Sequence, residues 1–130
     1  PLLIGVTVLT SMDEADAREV GIVKPIAEQV VDLATLAQAS GLDGVVCSAM
    51  EAQPLRAALG QDFLLVTPGI RLPNAQNSDD QRRIMTPQDA LTSGSSYLVM
   101  GRPVTQAADP VAVIRDVNAI AAQLQHPSGL

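Results

Sequence analysis

The sequence predicts an α/β domain with a parallel sheet, and three observations support this class. Four short apolar segments each precede a helical segment along the 130 residues, and this alternation is typical of parallel strand–helix units. Apolar residues make up 47% of the chain and aromatic residues only 2%, so the core must be aliphatic, as in buried parallel strands. Two architectures fit: a small open doubly wound sheet, or half of a (β/α)8 barrel, whose usual length is about 250 residues.

The first two strand–helix units occupy the N-terminal half of the chain. Near-continuous apolar runs predict strands over Leu2–Leu9 and Gly44–Cys47. A long helix is predicted over Pro25–Ser40, because its apolar residues recur at spacings of four, three and four. Gly41 ends that helix, and another helix is predicted over Glu51–Leu59.

The last two units are separated by a polar loop. Strands are predicted over Phe63–Val66 and Tyr97–Met100, and the polar stretch Arg71–Asp80 reads as an irregular loop of the kind that often has a function. Thr86 and Asp109 are each followed by proline, so we expect each to cap a helix. The last helix should bury an apolar stripe of Val113, Val117, Ile120 and Leu124.

Charge and cysteine content exclude several classes of function. The net charge of −6 argues against a nucleic-acid partner. One cysteine, Cys47, and one histidine make neither a disulfide nor a metal site, and they suit a reducing cytoplasm; we expect the thiol to be buried. The longest apolar run is too short to cross a membrane. We therefore expect one cytoplasmic domain without a membrane partner.

Polar and glycine residues collect at the carboxyl ends of the predicted strands, where both architectures bind ligands. Gly101 and Arg102 follow the fourth strand. Glycine lets a ligand approach the backbone, and an arginine can bind phosphate through two parallel donors. A short helix over Val104–Ala108 would complete such a phosphate site. From spacing alone, an ordinary turn with a solvated arginine is an equally good interpretation.

Three other residues are weaker candidates when spacing alone is considered. Arg71 follows the third strand and begins the polar loop, and Gln81 lies near the end of that loop, where its amide can donate to and accept from a polar ligand. From spacing alone, a solvated surface loop is the favoured interpretation of this segment. Thr10 ends the first strand and can contact a heterocycle, but spacing alone favours a helix cap.

Several common ligand-binding motifs are missing from the sequence, and lysine is scarce. The chain has no Walker loop, no dinucleotide fingerprint and no metal-binding pattern. It has a single lysine, Lys24, at the start of a predicted helix rather than at a strand end. The predicted binding edge therefore contains no lysine that could take part in catalysis.

Taken together, five segments resemble bacterial orotidine 5′-monophosphate decarboxylases. The similarity covers nearly the whole chain, in order and at matching spacings. It is carried by residues 6–12, 41–49, 66–71, 80–87 and 101–105. The resemblance implies a (β/α)8 barrel in which residues 1–130 form strands five to eight, the C-terminal half of one barrel domain. Ser95 and Ser96 stand where relatives often carry a small residue and an acid, and we expect only a local effect.

The resemblance also implies roles for the candidate residues. Thr10 matches a position that contacts the pyrimidine, and Arg71 matches one that contacts the nucleotide. Gln81, Gly101 and Arg102 match positions around the 5′-phosphate, and the polar loop before Gln81 matches a loop that closes over it. The implied ligands are orotidine and uridine 5′-monophosphate, and the implied partners are the N-terminal half of the same barrel and a second subunit of a homodimer.

The implied reaction is decarboxylation of orotidine 5′-monophosphate to uridine 5′-monophosphate, without cofactor or metal. In the family, the catalytic lysines and aspartates lie on strands two and three, so none of the catalytic residues is expected in this chain. Because the sequence begins inside an apparent strand, we expect a fragment that is inactive alone. Two other readings stay open: another sugar-phosphate-binding barrel enzyme, and a half barrel that binds phosphate without catalysis.

Overall fold

A four-stranded, all-parallel sheet forms the centre of the molecule. The computed structural model describes residues 1–73 and 85–125. The strands lie in chain order across the sheet: β1 (Ile4–Val6), β2 (Gly44–Val46), β3 (Leu64–Thr67) and β4 (Tyr97–Leu98). The predicted α/β class and the four strand positions are confirmed. The first and last strands are shorter than predicted: within the described residues, β1 pairs with β2 over three positions and β4 pairs with β3 over two.

The helices lie between the strands as the sequence predicts. They are α1 (Glu14–Glu19), α2 (Ile26–Ala39), a 3-10 turn (Ala49–Glu51), α3 (Ala52–Leu59), α4 (Pro87–Ser93), α5 (Arg102–Thr105) and α6 (Pro110–Gln125). The short helix after the fourth strand was predicted over Val104–Ala108, and that placement was wrong: the helix begins two residues earlier and ends three residues earlier. It begins at Arg102 because Gly101 is its N-cap and the carbonyl of Gly101 accepts from the N–H groups of Val104 and Thr105.

Helix ends are set by the capping residues that the sequence indicates. The Thr86 hydroxyl accepts from the N–H of Asp89 at 3.2 Å, and the Asp109 carboxylate accepts from the N–H of Ala112 at 3.1 Å. Both predicted caps are confirmed. Gly41 has a φ of 91°, a left-handed conformation that favours glycine and ends α2.

One face of the sheet is covered by helices, and the opposite face is open in the described part of the chain. Val45, Cys47 and Leu65 point toward α2 and α3 and are almost completely buried, as predicted for the Cys47 thiol. Side chains of the opposite face are much more exposed, with Val6 at 61% and Tyr97 at 56%. The sheet is thus covered like one side of a barrel wall, with helices outside.

Helix α6 packs less tightly than its periodicity predicts. Val113, Val117 and Ile120 are only partly buried, and Leu124 is 40% exposed. The helix contacts α4 and α5 more than it contacts the sheet. The expected buried stripe is therefore only half covered.

Arg56 joins three elements at the amino-terminal edge of the sheet. Its guanidinium donates to the carbonyl of Gly94 through Nε and Nη2 at 3.0 and 2.8 Å, and to the Ser96 hydroxyl at 2.9 Å. It also donates to the carbonyls of Gly60 and Phe63. Partial burial lowers the pKa of Arg56, so this charge gives up hydration and receives carbonyl acceptors in exchange.

Replacing Arg56 should therefore destabilise the fold. We expect Arg56→Met to keep the aliphatic packing, lose the charged hydrogen bonds and lower the free energy of unfolding by about 2–3 kcal/mol. Urea unfolding followed by circular dichroism measures the change. The matched control is Arg115→Met, at an exposed position on α6. Equal unfolding midpoints for the two variants would contradict the assigned role.

Candidate functional site

Residues that follow the strands meet at the carboxyl-terminal edge of the sheet. Because all four strands are parallel, the segments after β1, β3 and β4 leave from the same edge. Four of the five candidate residues lie there: Thr10, Arg71, Gly101 and Arg102. We call this group the rim. The structure thus brings together, on one edge, residues that are up to 92 positions apart in the chain.

Thr10 is buried in the turn between β1 and α1, with 3% of its surface exposed. The sequence alone favoured a helix cap for this residue, and that interpretation is wrong. The N-cap of α1 is Asp13, whose carboxylate accepts from the N–H of Asp16 at 2.9 Å in a capping box. Asp13 caps the helix because its side chain lies three residues before the N–H that needs an acceptor. Thr10 therefore owes its position at the rim to the turn and not to helix capping.

Arg71 is a buried cation directly after β3, with 9% of its surface exposed. Its Nη1 donates to the carbonyl of Ile70 at 3.0 Å. Its backbone N–H donates to the carbonyl of Met85 at 3.0 Å, and Met85 donates back to Gly69 at 3.4 Å. These bonds hold the two ends of the segment 72–84 together. The reading of Arg71 as part of a solvated surface loop is therefore wrong for the arginine itself.

Gly101 and Arg102 connect β4 to α5. A Cβ atom added to Gly101 would meet nothing within 4 Å, so protein packing does not require glycine there. The space above its backbone is open to a ligand, which suits close approach by an anion. Arg102 follows Gly101 directly and is exposed at the first position of α5.

Gln81 lies outside the described residues. So does the greater part of the polar segment that was predicted to close over the ligand. Its predicted role beside Gly101 and Arg102 stays a prediction.

A buried polar pair next to the rim was missed by the sequence reasoning. Ser48 and Glu51, at the carboxyl end of β2, are 0% and 4% exposed. The N–H of Ser48 donates to the Glu51 carboxylate at 3.1 Å, and the Ser48 hydroxyl accepts from the N–H of Met50 at 3.2 Å. The Ser-x-x-Glu spacing is the signature of a capping box and was the available signal. These bonds turn the pair toward the backbone, so we assign it a structural role.

The lysine of this chain is bound to a helix surface. Lys24 forms an ion pair with Asp32 of α2, and the two side chains are 44% and 58% exposed. The hydrogen bond to Asp32 and the charge of that carboxylate raise the pKa of Lys24. The ammonium therefore stays protonated and stays with α2, as expected for a lysine outside the binding edge.

Within residues 1–73 and 85–125, no cluster of three or more histidine, cysteine, aspartate or glutamate side chains is arranged to hold a metal ion. In the same residues, no helix combines the length and the hydrophobicity needed to span a bilayer.

Sequence comparison links residues 1–117 to the orotidine 5′-phosphate decarboxylase / HUMPS family. Orotidine 5′-phosphate decarboxylase of Neisseria meningitidis serogroup A, strain Z2491, is 72% identical over 121 residues, covering 93% of this chain and 49% of the relative. The protein of the same name from Hydrogenovibrio crunogenus is 61% identical over 119 residues, covering 92% and 50%. The chain spans about half the length of the curated relatives it matches.

Solved structures give the same result for the fold. The crystal structure of orotidine 5′-phosphate decarboxylase from Lactobacillus acidophilus superimposes with a TM-score of 0.74 at 43% identity, covering 92% of this chain and 49% of the other. The enzyme of that name from Pyrococcus horikoshii OT3 has a TM-score of 0.60 at 19% identity, which supports the fold alone. The predicted half of a (β/α)8 barrel is confirmed. With the sequence match over residues 1–117, it follows that the chain belongs to the orotidine 5′-phosphate decarboxylase / HUMPS family.

Proposed function

We propose that this chain is the C-terminal half of an orotidine 5′-phosphate decarboxylase barrel and supplies binding groups for the nucleotide. The complete protein would convert orotidine 5′-monophosphate to uridine 5′-monophosphate in pyrimidine biosynthesis. One observation carries the proposal: the family match spans residues 1–117, and the same stretch places the four rim residues on one edge of a parallel sheet.

The rim offers groups suited to the two ends of the nucleotide. We assign Thr10, buried at the end of the β1 turn, to the pyrimidine end, and Arg71, held beside Ile70 and Met85, to the nucleotide. Gly101 and Arg102 surround the 5′-phosphate, with open space over the glycine and a fork of guanidinium donors beside it. Gln81 is proposed as a third group at the phosphate.

This chain would contribute to catalysis through binding energy. In the proposed reaction CO₂ leaves from C6 of the pyrimidine, and a lysine protonates the carbanion that remains. Lys24 is paired with Asp32 on α2, so the proton donor is assigned to the N-terminal half. Charged hydrogen bonds contribute about 1.5–3 kcal/mol each. Binding energy from a remote phosphate accelerates the reaction when it is realised in the transition state.

The remaining assignments follow from the same proposal. The N-terminal half of the barrel is the partner that completes the active site, and complete barrels pair as a homodimer. The cytoplasm is the proposed location, in keeping with a pathway of small soluble metabolites and with a buried Cys47 thiol that forms no disulfide. No cofactor or metal is assigned.

The 130-residue chain by itself should not decarboxylate the substrate. The physical reason is that its lysine is held on α2 and no other lysine exists in the chain. Absorbance at the wavelength where orotidylate and uridylate differ measures conversion by the purified chain. Turnover by a preparation that survives removal of contaminating enzyme would refute this prediction.

Removing the Arg102 guanidinium from the complete protein should act on the phosphate alone. We expect Arg102→Ala to lower kcat/KM for orotidine 5′-monophosphate by about 10-fold to 150-fold, the equivalent of one charged hydrogen-bonded group. Activity toward the phosphate-free nucleoside should be unchanged. Steady-state kinetics with both substrates measures the difference, and Arg115→Ala on α6 is the matched control.

Equal losses on the nucleotide and the nucleoside would remove Arg102 from the phosphate site.

The second candidate function, another sugar-phosphate-binding barrel enzyme, is tested by the same complete protein. A thermal-shift comparison of uridine 5′-monophosphate with pentose phosphates should show stabilisation by the uridylate. Stabilisation by a pentose phosphate alone would favour the second candidate.

A further inference from the structure

Helix α2 begins without a capping side chain of its own. Its N-cap is Pro25, which makes no side-chain hydrogen bond to the first turn, and the first N–H groups of a helix need acceptors from outside it. The carboxylate of Glu14 supplies one, because its Oε1 and Oε2 atoms lie 3.0 and 3.3 Å from the backbone N of Ile26. Its negative charge also suits the positive end of the helix. Glu14 therefore caps α2 from a position 12 residues earlier in the chain.

The bond from Glu14 joins the start of α1 to the start of α2. Ile26, at the α2 end, is 4% exposed and belongs to the buried core, so its backbone is a fixed point. At the other end, α1 has six residues, of which Ala17 is buried, and so short a helix keeps its shape only through tertiary contacts. Met12 and Ile22, on either side of α1, are partly buried against the same core. The position of α1 therefore depends on these apolar contacts and on the Glu14 bond.

The start of α1 is also tied to the turn that holds Thr10. The N–H of Met12 donates to the carbonyl of Leu9 at 3.1 Å, and this bond encloses Thr10 in a tight turn. The next residue, Asp13, exchanges two hydrogen bonds with Asp16 in the capping box of α1, at 3.1 and 2.9 Å. Hydrogen bonds therefore follow one another from the Thr10 turn into the first turn of α1, and a shift of α1 moves the turn with it.

We propose that Glu14 is a positioning residue for the substrate. By capping α2 it fixes α1, and through the turn before α1 it sets where the Thr10 hydroxyl meets the pyrimidine end of the nucleotide. The inference rests on the proposed function, in which Thr10 is assigned to that end. Glu14 is given no contact with the substrate, because its carboxylate is exposed and bonded at the start of α2. All the bonds involved lie between Leu9 and Ile26, within one strand–helix unit.

A double-mutant cycle in the complete protein tests the proposal. Glu14→Ala removes the cap and should lower kcat/KM for orotidine 5′-monophosphate by about tenfold, because a small displacement of a positioning group is costly. Thr10→Val removes the hydroxyl. In the Thr10→Val background, Glu14→Ala should lower kcat/KM by less than about twofold, because a residue that acts through that hydroxyl then has nothing to position. Glu19→Ala, at the exposed far end of α1, is the matched control and should leave kcat/KM unchanged.

Three further readouts separate positioning from a general loss of stability. Glu14→Gln keeps a side-chain oxygen that can accept from the N–H of Ile26, so it should restore kcat/KM to within about threefold of the unsubstituted protein. The loss in Glu14→Ala should be equal for the nucleotide and the phosphate-free nucleoside, because Thr10 serves the pyrimidine end. Amide hydrogen exchange in Glu14→Ala should become faster over residues 10–17 and stay unchanged in β3, as expected for a local loosening.

The outcomes distinguish this inference from the proposed function. Additive losses in the double variant would overturn the inference alone, since Glu14 would then act independently of Thr10. A Glu14→Gln variant as impaired as Glu14→Ala would also overturn it, because the capping oxygen would not be what matters. Full activity of Thr10→Val on the nucleotide would withdraw Thr10 from the proposed pyrimidine site and take this inference with it.

Discussion

The parallel hydrogen-bonded ladder that runs across the sheet from β1 through β2 and β3 to β4 is the constraint on which the other features of this chain depend. It aligns Gly5 with Val45 and Val45 with Leu65, and it therefore sends every strand out of the sheet at the same edge. The ladder also needs close contact: a Cβ atom at Gly44 would lie 2.3 Å from the carbonyl oxygen of Leu64. Only glycine lets β2 and β3 approach this closely at that point.

The amino-terminal and carboxyl-terminal edges of the sheet have different roles. At the amino-terminal edge, Arg56 of α3 donates to carbonyl and hydroxyl acceptors before β3 and after α4. The Ser96 hydroxyl, which accepts from Arg56, also accepts from the N–H of Leu65 in β3 at 3.0 Å. At the carboxyl-terminal edge, the rim carries glycine and arginine beside open space. This division is the one expected of (β/α)8 barrels, in which stability and ligand binding lie at opposite ends of the strands.

Sequence periodicity predicted the elements well because they are local. Strand positions, the end of α2 at Gly41 and the caps at Thr86 and Asp109 all depend on residues within a few positions of each other. The errors came where distant parts of the chain decide. The Leu2–Leu9 run extends beyond the ladder with β2, which covers Ile4–Val6, and the stripe on α6 is half exposed because that helix packs against α4 and α5 more than against the sheet.

The rim shows the same distinction. Its residues were found from strand ends and from the resemblance, but the partners of its side chains were not predictable. Thr10 looked like a cap because a helix follows it, yet Asp13 lies closer to the N–H groups that need acceptors. The contacts of Arg56 with Gly94 and Ser96 span 38 and 40 positions, and no periodic pattern reports a bond of that range.

The two arginines of the rim differ in how far they are exposed, and this difference bears on the proposed phosphate site. Arg71 is 9% exposed and bonded to the backbone of Ile70, so its guanidinium is positioned in advance. Arg102 is exposed at the first position of α5, and fixing a long exposed side chain in one rotamer costs up to about 2 kcal/mol. A charged hydrogen bond of about 1.5–3 kcal/mol only modestly exceeds that cost. In the proposed site, phosphate binding by Arg102 therefore needs two parallel donors, or the neighbouring Gly101 backbone, to be strongly favourable.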